Sequence, residues 1–413
     1  MKKFSIIFLI SVFLFTFVSV TYAKTIEMSM WGTPQEEAVY KEITKAFEAK
    51  YPDIKVKVSV LSWTDYWSKL QTRLASGSAP DVFAVNGGWL QVFASKNVVK
   101  DITSYVEKDN ALVSDLFPMA IETFKYKGKI YGLPRDFNTY VVFYNKDLFD
   151  KYGVSYPKSN WSWDDYLATA KALTKDVNGD GRLDTWGVVV DTRPDVWMPF
   201  VWQNGGDVLN AEKTKSVINS KEAEGAFQFL ADLILKYKVS PTLSQQQVFG
   251  WNPFGSGKIG MYITGKWMVP IYKDAKFKWD VQVLPKGKKQ IAIANSVGFV
   301  IYKNTKSSKE AFEYVKFIAT EGQKYLLKLG SSVPCSRTAV FSKDFLDPSQ
   351  PPANKRAFVQ EISYSKILPF HPKWNELWEV WTKYPELMFN GKIGIKEGLL
   401  KMDKDMNKIL SEK

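Results

Sequence analysis

The sequence predicts an α/β protein of two lobes, with a binding cleft beside a chain crossing between them. Three observations carry this. The chain has 413 residues, enough for two cores. Residues 26–86 alternate strand and helix patterns as βαβαβ, the opening of an open α/β domain. The stretch Gly132–Lys146 starts with Gly and Pro, carries Asp136 and Asn138 among aromatics, and runs into β-branched residues. A chain passing between lobes beside a cleft has that character.

In order, Ile26–Met30 is a short strand ending in Trp31-Gly32. Over residues 35–50, Val39, Ile43, Ala46 and Phe47 fall on one helical face. Pro52 stops that helix, and Ile54, Val56, Val58 and Val60 alternate as in a strand. Thr64 or Asp65 is expected to cap the next helix, whose Leu70 and Leu74 are four apart. Pro80–Val85 is the third strand, followed by Asn86-Gly87-Gly88. Ligands of open α/β sheets bind at the carboxyl ends of strands, where Trp31, Trp63 and Asn86 sit.

From Tyr140 the second lobe is expected. It holds a helix from Ser162 to Thr174, a strand over 187–190 and a helix over 221–237. Then come a strand and turn ending in Gly265-Lys266-Trp267 and a strand over 279–284. One strand over 295–301 and one helix over 309–329 follow. Prolines 348, 351, 352, 369 and 372 predict long surface loops, and Ile395–Leu410 a last amphipathic helix. Trp163, Trp186 and Trp279 are expected in the core.

Composition narrows the chemistry. The net charge of +13 comes from scattered lysines without a basic block, so it is read as surface charge, not a nucleic-acid footprint. A single cysteine, Cys335, excludes an internal disulfide and a cysteine metal cluster; one histidine, His371, removes most metal sites and histidine triads. Lys2 and Lys3 precede an apolar run ending at Thr21-Tyr22-Ala23, which reads as a secretory signal peptide over 1–23, with a retained anchor as the alternative. No cysteine near the cleavage point offers a lipid anchor. The loop Asp176–Asp184 is spaced like a calcium loop, but position twelve, where a bidentate Glu belongs, is Gly187. The preferred reading is an Asx-rich turn, with no cofactor and no metal; structural calcium is the lesser alternative.

Several pieces in fixed order then resemble a known family. They are Trp31-Gly32, Ala75–Val82, Tyr131–Pro134, Tyr144–Phe149, Gln203–Gly206, Gly257–Met261 and Gly265-Lys266-Trp267. Together they resemble the solute-binding proteins of carbohydrate ABC importers, in the oligosaccharide-binding family related to maltose-binding protein. The resemblance implies the periplasmic-binding-protein fold, each lobe a central β-sheet flanked by helices and the ligand cleft at the hinge, with crossings near 135–140, 294–297 and 333–337. The N-lobe would be 24–135 and 296–334, the C-lobe 140–294 and 336–413.

By the same resemblance Asn86 and Asn138 match acids that hold sugar hydroxyls, with Asp136 offering a carboxylate nearby. Trp267 and Trp378 match stacking aromatics, Trp374 is a second choice for the latter, and Arg193 and Trp197 lie in a region of C-lobe contacts. A pyranose offers an apolar C–H face to rings and a hydroxyl rim to amides, carboxylates and arginine. Trp31, Trp63, Trp89 and Trp251 add rings, and Arg337 is a further donor. The implied protein is a periplasmic or secreted monomer, not an enzyme, that delivers an oligosaccharide to membrane permease subunits. The alternatives are a receptor for a polyamine or peptide and a secreted glycoside hydrolase.

Overall fold

The computed structural model describes residues 23–412; the expected signal peptide lies almost entirely outside them. Strand β1 (Lys24–Trp31), helix α1 (Pro34–Lys50), strand β2 (Ile54–Leu61), helix α2 (Trp63–Ala75), strand β3 (Val82–Asn86) and helix α3 (Gly87–Ser95) open the chain. Thr33 caps α1 in a reciprocal box with Glu36, and Pro34 supplies the preset φ of a first helical residue. The cap of α2 is Ser62, not Thr64 or Asp65: its hydroxyl accepts the Asp65 N–H, and Asp65, three residues on, accepts the hydroxyl proton in return.

Two sheets form two lobes. The first has the order β2, β1, β3, Val297–Ile301, Gly132–Pro134. Its first three strands are parallel, and Val297–Ile301 pairs antiparallel with β3 and with Gly132–Pro134. The second runs Ser365–Ile367, Ala292–Asn295, Asn138–Asn145, Ile259–Gly265, Trp186–Val188, with Trp279–Gln282 also pairing with Asn138–Asn145. Asn138–Asn145 is buried along its whole length, which its run of β-branched and aromatic residues requires. Helices Trp163–Leu173, Lys221–Leu235, Trp374–Phe389 and Ile395–Ser411 belong to the second lobe.

Two sequence expectations differ from the structure, and one helix was not foreseen. Residues 295–301 are two strands, broken at buried Ser296, because the chain changes sheet there. The helix expected over 309–329 ends at Ala319; Thr320 leaves helical geometry, and two short pieces follow. Gly87-Gly88 form the first turn of α3, a helix that no sequence signal announced. Its glycines make room: a Cβ on Gly87 would lie 2.2 Å from the Phe370 ring, and one on Gly88 2.2 Å from the Trp374 ring. Thus the N-lobe helix α3 and the C-lobe segment 370–374 pack without intervening side chains.

The sheet-to-sheet passages converge on Asp136, which is fully buried. Its Oδ1 accepts the Val297 N–H at 2.9 Å, its carbonyl accepts the Ser296 hydroxyl at 2.5 Å, and its Oδ2 accepts from Arg135 Nε at 3.0 Å. Phe137 N–H donates to the Val333 carbonyl at 2.9 Å, and Asp136 bridges to Pro334. Burial raises the Asp136 carboxyl above its ordinary value, and the Arg135 guanidinium pulls against that.

Candidate solute cleft

Four indoles form one wall. Trp31 ends β1, Trp63 starts α2, Trp67 lies one turn further on, and Trp89 sits on the first turn of α3. Trp31 is 5.0 Å from Trp63 edge-on and 5.7 Å from Trp67 stacked; Trp67 and Trp89 stack at 4.5 Å. Trp63 is 52% exposed, so its face is available to a ligand. Trp67 was not foreseen. The signal was its spacing: Trp63 and Trp67 are four apart, hence on one helical face.

Asn86 is the N-cap of α3, its Oδ1 accepting the Trp89 N–H at 3.1 Å, so its amide orients Trp89. Trp374 is nearly buried against Gly88 and Phe370, and partly buried Trp378 lies 5.1 Å from it. A single apolar cluster runs from Tyr66 and Trp67 through Trp374 to Trp197 and Tyr140, with Trp31, Trp89, Trp267 and Trp378 at its partly exposed margin.

A polar group flanks that margin. The Tyr140 hydroxyl donates to Asp195 Oδ2, and Trp267 meets the Tyr140 ring edge-on at 5.1 Å. Arg193 Nε donates to Asp191 Oδ2 at 2.7 Å. Burial opposes the Arg193 cation, yet Asp195 and Asp191 beside it hold it well above its ordinary value; burial raises Asp195, with Arg193 countering. Among the described residues Arg193 Nη2 and Asp195 Oδ1 have no hydrogen-bond partner. Both atoms are enclosed, Arg193 and Asp195 attract one another, and Tyr140, which donates to Asp195, has the Trp267 ring against it. Asp191, Asp195 and Tyr140 were not among the expected residues. They are brought together from 140 and 191–195 by the tertiary fold, which no local spacing announces.

Two expected ligand residues are corrected. Trp197 is fully buried, its Nε1 donating to the Trp381 carbonyl at 3.3 Å and its ring 4.9 Å from Phe227; it lies on the helix Pro194–Gln203, which is buried along its whole length, and fills the core. Asp136 presents no surface, because both its oxygens serve the passage between sheets. Asn138 is nearly buried, and its Oδ1 accepts the Val333 N–H at 3.3 Å. The Arg337 guanidinium donates to the Ser114 carbonyl, away from the indoles. Trp251 is 72% exposed, beyond a short helix with no buried residue. Of the expected core indoles Trp279 is buried, while Trp163 and Trp186 pack from partly exposed positions. In the loop 176–184 the Asp176 oxygens accept from Gly179 and Gly181 N–H and Asp184 from Val177 N–H, as turn residues do. No group of three or more His, Cys, Asp or Glu among the described residues could hold a metal.

Two lobes on separate sheets, passages between them at one junction, and aromatic and polar side chains at the strand ends define a two-lobe solute receptor. The chain belongs to the bacterial extracellular solute-binding protein family, whose model matches residues 31–325. The ABC substrate-binding protein Lmo0181 of Listeria monocytogenes, solved in complex with cycloalternan, is 32% identical, with a TM-score of 0.85 over 94% of this chain and all of that one. The galactooligosaccharide-binding protein of Bacillus subtilis is 24% identical over 391 residues, 91% of this chain and 88% of its own length. The cyclic α-maltosyl-1,6-maltose binding protein of Arthrobacter globiformis, 18% identical with a TM-score of 0.81 over 94% and 98% of the chains, shares the fold.

Proposed function

We propose that the protein is a non-enzymatic receptor that captures an oligosaccharide between its lobes and presents it to the membrane permease of an ABC importer. One observation carries the reading: Trp31, Trp63, Trp67 and Trp89 pack on one another at the end of β1 and the starts of α2 and α3, with the Trp63 ring half exposed. Rings take the C–H faces of successive sugars. The family membership, the cycloalternan held by the Listeria relative and the name of the Bacillus relative support it. On this reading the receptor is monomeric, uses no cofactor and works outside the cytoplasm after loss of residues 1–23. Among the described residues no helix is long and apolar enough to cross a membrane. Closure turns about the junction at 135–140, 294–297 and 333–337, bringing the lobe of 24–135 and 296–334 onto that of 140–294 and 336–413.

The test is thermal unfolding of the purified protein with cycloalternan, galactooligosaccharides, maltotriose, spermidine and a short peptide. A solute that binds only the folded state raises the midpoint. An oligosaccharide is expected to raise it, and Trp63→Ala to weaken that sugar by roughly 1–2 kcal/mol, the scale of one exposed stacking ring. No response to any oligosaccharide, or a response to spermidine or peptide alone, overturns the reading, as does reducing-sugar release during incubation.

A further inference from the structure

A cavity of about 590 Å³ opens between the lobes on the far side of α3 from the indole wall. The helix separates the two. Trp89, stacked on Trp67 and next to Phe93, lies on one side. Gly87, Gly88 and Gln91 lie on the other, where Phe370 and Trp374 pack and Gln91 Nε2 donates to the Lys125 carbonyl at 2.8 Å.

Four lysines border the cavity: Lys125 and Lys127 from the N-lobe, Lys213 and Lys366 from the C-lobe. Two are compensated. Lys125 pairs with Glu122 at 2.8 Å, and Lys366 pairs with Asp207 at 2.5 Å while lying 4.9 Å from the Trp202 ring centre. The other two form no ion pair among the described residues. Lys127 lies over the Tyr126 ring, and Lys213 Nζ donates only to the Phe370 carbonyl at 3.2 Å. As residues both are exposed; the protein packed around the Lys213 ammonium still lowers it below its ordinary value, and Glu122 at the cavity opposes that. Lys127 and Lys213 are also two of the four non-glycine residues with left-handed backbone among the described residues, at φ 47° and 55°. Such a conformation is strained for a side chain with a Cβ and persists where the surroundings hold it.

We propose that this cavity is a second binding site, separate from the solute cleft, for a small oxyanion bearing a phosphate or carboxylate group held between Lys127 and Lys213. The two lysines border the same cavity from opposite lobes and neither is paired with a carboxylate, so an anion entering it is attracted to both. Because the cavity is walled by both lobes, its occupant also joins them. The proposal does not depend on which solute fills the indole-lined cleft.

The experiment is isothermal titration of the purified protein with inorganic phosphate and, in a parallel arm, with citrate, against chloride buffer of equal ionic strength. Saturable binding is expected in at least one arm; phosphate alone identifies a phosphate site, citrate alone a carboxylate site, and both a general oxyanion site. In the Lys127→Gln/Lys213→Gln double variant that affinity should fall about tenfold or more, the scale of losing charge-assisted hydrogen bonds. The variant's unfolding midpoint in chloride and its response to the cleft solute should stay unchanged, which separates loss of the site from loss of fold. No saturable heat with either anion, or equal affinity in the double variant, overturns the proposal.

Discussion

At pH 8 the Glu361→Gln variant is expected to be more stable than the parent by up to about 5 kcal/mol, with the difference vanishing near pH 4.5. Glu361 is fully buried. One of its oxygens accepts the Leu284 N–H, and the other has no partner among the described residues. Burial pushes its carboxyl up to about 8 from an ordinary 4.5, and the Leu284 N–H opposes this only in part. Between those values the folded chain holds a proton that the unfolded chain has released. Stability from this group is therefore complete below about pH 4.5 and is lost as pH rises through 8. Glutamine keeps the neutral shape and removes the slope. Lys266 contributes the opposite sign in a higher window. Burial, with Lys355 nearby, lowers it from 10.5 to about 7, so its contribution grows as pH rises from 7 towards 10.5. Urea unfolding at pH 5, 6.5, 8 and 9.5 reads both, the last step falling in the Lys266 window alone. Parallel pH profiles for parent and variant would refute the assignment to Glu361.

Asp136→Ala should cost roughly 3–5 kcal/mol, the usual penalty for removing one partner of a buried ion pair. It strips Arg135 of its near carboxylate, leaving Glu36 at 3.7 Å, and it orphans the Val297 N–H. Both losses fall at the junction of the two sheets, so binding should suffer along with stability. Asp136→Asn keeps an acceptor for Val297 and should recover part of the loss. Urea midpoints of the two variants check this; a cost below about 1 kcal/mol for the alanine, the range of a surface residue, would return Asp136 to a minor role.

Much of the fold was legible because its signals are local. The alternation of Ile54, Val56, Val58 and Val60 gave β2, and Val39, Ile43 and Phe47 gave α1, since both periods follow from backbone geometry. The helix α3 was not, because Gly87-Gly88 has the character of a turn until Phe370 and Trp374 are seen to occupy the missing side chains' space. Nor was Trp374–Phe389, which carries Pro385 and follows a proline-rich run. Within the site, Trp31 and Trp63 could be read from strand ends. Trp197 could not be told from them, since sequence does not say that the short helix Pro194–Gln203 is enclosed on every side. Asp136 shows the same limit: its partners at 297 and 334 are far away in the chain, and only the assembled junction reveals that its carboxylate is already spoken for.

That junction also contains the chain's single thiol. Cys335 is completely buried, its Sγ donating to the Pro134 carbonyl at 3.3 Å, and burial pushes the thiol well above its ordinary value. A reagent that reacts with thiolate therefore finds nothing to attack until the connecting segments part. The protein thus carries a native chemical clock. The rate at which a disulfide reagent colours reports how often the link between the lobes comes undone, and comparing that rate with and without solute measures how firmly an occupied cleft keeps it shut.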